Sequence, residues 1–192
     1  MRKIVLDIET KNIFQEVGGR GDPTKLDISL LVTYDFQTDQ YECFLEEDFP
    51  RLWKLLEESD MIIGYNSDHF DIPLLNKYYE GDLTAIKSLD LLSEIKNTLG
   101  RRLRLDSVAE GTLGIKKSGD GLEAVKWWRQ GEIEKLKRYC KDDVRITKEI
   151  YEFALKNNFL KYKDYDGIKT IPLKTENWED PGDGALNHTL LF

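Results

Sequence analysis

Lys3-Ile4-Val5-Leu6-Asp7-Ile8-Glu9-Thr10 is the stretch whose reading decides the fold. Side chains of a strand point alternately to the two faces of a sheet. Ile4, Leu6 and Ile8 therefore share one face, and Asp7 and Glu9 share the other. Two carboxylates aimed at one point repel each other unless a cation lies between them. The run predicts a strand that is apolar along its length and acidic at its end. A polar strand end on a sheet rim is the other account of this pair taken alone.

A third carboxylate arrives from far along the chain. Residues 132–157, opened by Gly131, carry Ile133, Leu136, Cys140, Thr147, Ile150, Tyr151 and Ala154 at three- and four-residue steps. That period predicts one long helix with an apolar stripe. At about 100° per residue, Asp143 falls in the middle of the stripe and Asp142 near its edge. A charge centred on a buried helix face is costly unless it is paired or binds a metal. Tyr139 stands one turn before it, so phenol and carboxylate project side by side. Pairing of Asp143 with a Lys or Arg from another element is the alternative to a metal.

With Asn66-Ser67-Asp68-His69-Phe70-Asp71 in mid-chain, the motifs stand in a recognisable order. Asp7-x-Glu9, Asn66-x-x-x-Phe70-Asp71 and Tyr139-x-x-x-Asp143 resemble the three exonuclease motifs of the DEDDy 3′→5′ exonucleases. These are the ribonuclease-H-like proofreading domains of DNA polymerases and their stand-alone relatives. The likeness runs over roughly residues 1–155. Gly64-Tyr65-Asn66, Phe70-Asp71-Ile72-Pro73-Leu74-Leu75, Leu89-Asp90-Leu91-Leu92 and Leu113-Gly114-Ile115 resemble small relatives of the B-family polymerase exonuclease and helicase-associated exonucleases. One departure is visible. Lys11-Asn12 follow Thr10 where many relatives have Gly, which bears on the loop around the terminal nucleotide.

The resemblance implies a set of roles. Asp7, Glu9, Asp71 and Asp143 would hold two divalent ions about 3.5–4 Å apart. Asp7 would bridge both ions, Glu9 and Asp143 would complete the water-activating site, and Asp71 would support the second ion. Oxygen donors without His or Cys favour Mg²⁺ or Mn²⁺ over Zn²⁺. Tyr139 would orient the attacking water. An unperturbed Tyr has a pKa of about 10, so deprotonating that water would fall mainly to the metal. Asn66, Thr10 and Phe70 are the substrate-binding candidates; packing beneath Asp71 is the other role open to Phe70.

The implied substrate is the 3′ end of single-stranded or frayed nucleic acid, with DNA expected. A helicase or polymerase would be a partner in trans. The competing readings are a catalytically silent nucleic-acid or partner-binding module on the same fold, and a ribonuclease-H-like endonuclease or transposase.

Composition narrows the setting. The chain has 192 residues, 40% hydrophobic and 33% charged, enough for one domain with a full core. A net charge of −8 argues against an extensive grip on duplex phosphates. It leaves room for a few terminal nucleotides bridged to carboxylates by metal. Basic residues do gather locally at Lys96, Arg101, Arg102 and Arg104, with Lys116-Lys117 soon after. No apolar run approaches the roughly 18 residues of a membrane span, and no signal-peptide pattern opens the chain. A cytoplasmic location is expected. Cys43 and Cys140 suggest no disulfide framework, and Cys140 reads as a small buried apolar residue.

Between the motifs, alternation predicts a strand over 2–9 and a hairpin from 28–35 and 40–45. Helices are expected at 50–58, 73–79, 91–99 and 122–130, with strands at 61–64 and 85–89. Ser107 and Glu110 suggest a capping box opening another helix that Gly114 ends. The order predicts an α/β domain over 1–157, a ribonuclease-H-like mixed sheet flanked by helices. A C-terminal hairpin over 158–174, turning at Asp166-Gly167, would pack on it, and 175–192 would form an extended tail. Asp68 and His69 read as exposed turn residues, and one of Trp127 and Trp128 as a core anchor.

Overall fold

The opening run forms the centre of a five-stranded sheet. The computed structural model describes residues 1–19, 21–116 and 121–180. The strands are β1 (Lys3–Thr10), β2 (Ile28–Asp35), β3 (Gln40–Phe44), β4 (Met61–Gly64) and β5 (Lys87–Asp90), in spatial order β3-β2-β1-β4-β5. β1, β2 and β3 are joined antiparallel, whereas β4 and β5 run parallel to β1. Parallel pairing requires crossover connections, and helices supply them. α1 (Phe49–Glu57) precedes β4, and α2 (Asp71–Asn76) lies between β4 and β5.

The alternation of β1 divides the interior in two. Ile4, Leu6 and Ile8 pack with Leu52, Leu56, Leu74 and Leu75 of α1 and α2. Val5 faces the other way, into a core with Leu136, Cys140 and Val144 of α6 (Ile133–Asn157). Asp7 and Glu9 continue the Val5 row and so turn toward α6. The same side holds α3 (Leu91–Leu99), α4 (Leu105–Leu113) and α5 (Gly121–Arg129). After α6, a left-handed Asn158 turns the chain into β6 (Phe159–Asp164), which pairs with β7 (Gly167–Pro172). The described residues contain no helix long and apolar enough to cross a membrane.

Several boundaries differ from expectation, each for a local reason. All of β2 is buried rather than alternately exposed, and Asp35 at its end takes an ion pair from Arg2 at 2.9 Å. α2 starts at Asp71, ahead of Pro73, because proline is tolerated in a first helical turn. β5 begins at Lys87, after a 3-10 turn over Leu83–Ala85. α4 begins at Leu105, so Ser107 is no cap; its hydroxyl donates to the Lys163 carbonyl of β6 at 2.6 Å. In the hairpin, Asp164 pairs with Gly167, which moves the turn to Tyr165-Asp166. Thr175 to Asp180 lie against the body. Trp178 is buried, stacks on Tyr151 at 6.1 Å and donates its indole N–H to Glu94. Lys117 and residues 181–192 lie outside the described residues.

Candidate active site

The site begins where β1 outruns its parallel neighbour. The last registered pair of β1 and β4 is Val5 with Ile63, so Asp7, Ile8 and Glu9 extend past it. There the Ile8 backbone N–H donates to Asp71 Oδ1 at 3.1 Å instead of to a strand. On the opposite edge the β1–β2 register shifts between Glu9 and Thr10. Such bulges re-aim side chains and recur beside active sites.

Asp71 is delivered by a tight turn after β4. A Cβ on Gly64 would lie 2.4 Å from the Ser67 side chain, so only glycine lets the chain reverse there. Asn66 follows with φ of +72°, a left-handed conformation that asparagine tolerates better than most residues. Its N–H is held by Asp90 Oδ1 at 2.7 Å, and the same carboxylate caps α3 by accepting from Leu92 N–H at 2.9 Å. One buried Asp thus ties the mid-chain motif to the helix after β5. Asp71 itself is 5% exposed. Burial pushes its carboxyl up to about 7, with the nearby Asp90 charge adding to the rise and two backbone N–H donors opposing it.

α6 closes the site from above the sheet. The Cys140 thiol lies 3.3 Å from the Asp7 carbonyl oxygen and 3.4 Å from Asp7 Oδ2. Asp7, Glu9 and Cys140 offer one ligand atom each within 4.8 Å of one another. Burial drives the thiol's pKa well up, and the charges of Asp7, Glu9 and Asp143 drive it further. Hard divalent ions prefer oxygen to sulfur donors, so with such an ion the carboxylate oxygens are the favoured ligands and the thiol a neighbour. Those donors suit a divalent Mg²⁺ or Mn²⁺. Asp143 is 5% exposed, while its neighbour Asp142 is exposed and pairs with Arg145. Tyr139 is buried one turn earlier, edge-on to Trp127 with ring centroids 5.4 Å apart.

The substrate candidates behave differently from one another. The Thr10 hydroxyl donates to the Asn12 carbonyl at 2.8 Å, shaping the loop rather than pointing away from it. Asn12 in turn makes two 3.0 Å hydrogen bonds with Asp27, which pins Lys11-Asn12 to the start of β2. From α5, Trp128 lies beneath the Lys11 ammonium, and Arg129 pairs with Glu16 at 2.6 Å. Phe70 is half-buried and meets Phe14 edge-on at 6.2 Å. The Asn66 side-chain carbonyl accepts from the Arg102 guanidinium. Asp68 and His69 are exposed, as a turn requires.

Two neighbours of the site were not singled out by pattern. Cys140 read as apolar filler, although its place one turn from Asp143 on the same stripe was the available signal. Arg102 was visible only as part of a basic cluster.

Comparison with known proteins adds ancestry. A sequence profile of the RNase H superfamily matches residues 4–155. The chain belongs to that superfamily. Among curated proteins, a DNA polymerase of Thermococcus litoralis is 28% identical over 124 aligned residues, covering 49% of this chain and 7% of that protein. A DNA polymerase of Thermococcus aggregans is 27% identical with the same coverage. This RNase H superfamily member therefore spans a small fraction of the curated relatives it matches. Among solved structures, the family B DNA polymerase of Pyrobaculum calidifontis superposes with a TM-score of 0.61 at 23% identity, over 80% of this chain and 24% of that one. The zinc-bound E. coli ExoI–ssDNA complex superposes with a TM-score of 0.54 at 14% identity, over 81% and 41%. These two likenesses concern the fold.

Proposed function

We propose that this RNase H superfamily member is a metal-dependent 3′→5′ exonuclease acting on single-stranded or frayed ends, with DNA as its substrate. The observation that carries the reading is the choice between adjacent acids. Asp143 is buried near the Cys140 thiol that meets Asp7, whereas Asp142 is exposed and paired with Arg145. Converging buried carboxylates are costly in a protein that makes no use of them.

In this reading Asp7, Glu9, Asp71 and Asp143 hold two divalent ions, Mg²⁺ or Mn²⁺. When bound, such a pair neutralises charge on the phosphorane-like transition state and lowers the pKa of a nucleophilic water. The chain's own groups do the rest. Tyr139 orients the attacking water through its hydroxyl, and burial against Trp127 restricts that ring to one direction. Asn66 faces the terminal nucleotide, and the Thr10–Asn12 hydrogen bond shapes the loop beside it.

End-labelled oligonucleotides test the proposal. With Mg²⁺ or Mn²⁺, a 5′-labelled single strand should shorten one nucleotide at a time from its 3′ end, and chelation should stop it. Internal cuts would indicate an endonuclease, and absence of any cleavage a silent binding module. Either result rejects the proposal.

A further inference from the structure

Beside the mid-chain motif lies a charged turn whose arginines the mechanism above does not use. Gly100 ends α3 with φ of +71° and turns the chain into Arg101-Arg102-Leu103-Arg104. Leu103 is buried, and its carbonyl accepts from the Tyr65 hydroxyl at 3.1 Å. Tyr65 immediately precedes Asn66, so this turn is fastened to the mid-chain motif. Arg102 and Arg104 flank Leu103 and are both exposed.

The three arginines differ in their partners. Arg101 is spoken for: it bonds the Tyr162 hydroxyl at 3.2 Å and Asp164 at 3.0 Å, which fixes the C-terminal hairpin. Arg104 pairs with Asp106 at 3.1 Å on the surface. Arg102 donates to a neutral acceptor, the Asn66 amide oxygen, and among the described residues it forms no ion pair. In a chain of net charge −8, a guanidinium held against Asn66 without a carboxylate has its charge available to a ligand. Arginine's planar fork suits phosphate oxygens.

We propose that Arg102 and Arg104 form a phosphate-binding track that receives the backbone of the strand entering the site. The inference rests on the exonuclease reading, and that reading also says which phosphates are held. An enzyme that removes one nucleotide from a 3′ end has only that nucleotide beyond the scissile phosphate. Any further phosphate it grips must lie on the 5′ side. The track therefore binds phosphates 5′ to the scissile bond, and a substrate carrying a single phosphate cannot use it.

That asymmetry makes the test. Hydrolysis of the p-nitrophenyl ester of thymidine 5′-monophosphate is compared with degradation of labelled oligothymidylate. Binding of the oligonucleotide in Ca²⁺ is measured by anisotropy across a salt series. Arg102→Ala should raise KM for the oligonucleotide about tenfold and lower hydrolysis of the ester far less, by no more than Asn66 loses with its hydrogen-bond partner. The slope of log Kd against log salt should fall by about 0.7 for each arginine removed, the single-strand value for one phosphate. Arg104→Ala should behave alike, Arg102→Lys should retain most of the affinity, and Arg101→Ala should lower thermal stability without changing the slope. An unchanged oligonucleotide KM and slope in the Arg102→Ala, Arg104→Ala double variant would overturn the track. So would an equal loss on the ester, which would place Arg102 at the scissile phosphate. If wild type cleaves neither substrate, the exonuclease reading fails, and the salt slopes in Ca²⁺ still decide whether the arginines bind phosphate. Failure of wild type to bind the oligonucleotide rejects both.

Discussion

At the scale of single residues, the helix α6 separates chemistry that composition alone would merge. Asp142 and Asp143 are adjacent and identical, yet about 100° of helical rotation sends one to solvent and the other to the buried site. The same rotation aligns Tyr139 with Asp143. If Tyr139 orients water, Tyr139→Phe keeps its ring against Trp127 and loses one positioned hydrogen bond, at a cost on the order of a hundredfold in rate. Asp143→Ala, which removes a proposed metal ligand, should be essentially inactive while remaining folded. Single-turnover cleavage of a labelled oligonucleotide checks both. Wild-type rates in Tyr139→Phe would take the phenol out of the mechanism.

At the scale of elements, the hairpin is held by the close approach of a helix. In α4, a Cβ at Gly111 would lie 2.4 Å from Tyr162 Cα and 2.5 Å from its backbone N and C. Helix propensity alone says Gly111→Ala should stabilise by about 1 kcal/mol. Here the overlap is with β6 backbone, which cannot swing aside as a side-chain tip can. Overpacking of this kind typically costs about 1–3 kcal/mol, so the expected sign is destabilising. Urea titration of Gly111→Ala decides it, and a gain in stability would mean that α4 and β6 are free to separate. Thr112 strengthens the same seam by donating to the Lys161 carbonyl at 2.6 Å and accepting the Lys161 N–H at 2.9 Å.

At the scale of the whole molecule, the acidic site opposes folding when metal is absent. Asp71 binds its proton more tightly in the folded chain, near pH 7, than at the ordinary 3.8. A carboxyl with a raised pKa adds stability that is full below about pH 4 and is lost as pH rises through about 7. The metal-free protein should therefore lose more stability between pH 4 and pH 8 than an Asp71→Asn variant does. At pH 8 that variant should melt at the higher temperature in chelator. Mg²⁺ or Mn²⁺ should raise the wild-type midpoint and leave Asp71→Asn less affected, because a ligand that binds only the folded state stabilises it. Parallel melting profiles of the two proteins at all pH values would show that Asp71 carries no such penalty.

Periodicity was enough to read the faces. The two-residue alternation of Lys3–Thr10 put Asp7 and Glu9 opposite Ile4, Leu6 and Ile8, and the stripe of α6 chose Asp143 over Asp142. Both facts are local, because a strand or helix fixes the direction of a side chain within its own few residues. Partners across the fold were beyond that reach. The Ile8 N–H on Asp71, the Cys140 thiol on Asp7, Arg102 on Asn66 and Ser107 on β6 join residues 36 or more apart in the sequence. A repeat states which way a side chain points, and only the packing of the elements states what it meets. For this chain, the sequence determined which carboxylates face inward, and the tertiary structure decided which groups they meet: the Ile8 N–H for Asp71 and the Cys140 thiol for Asp7.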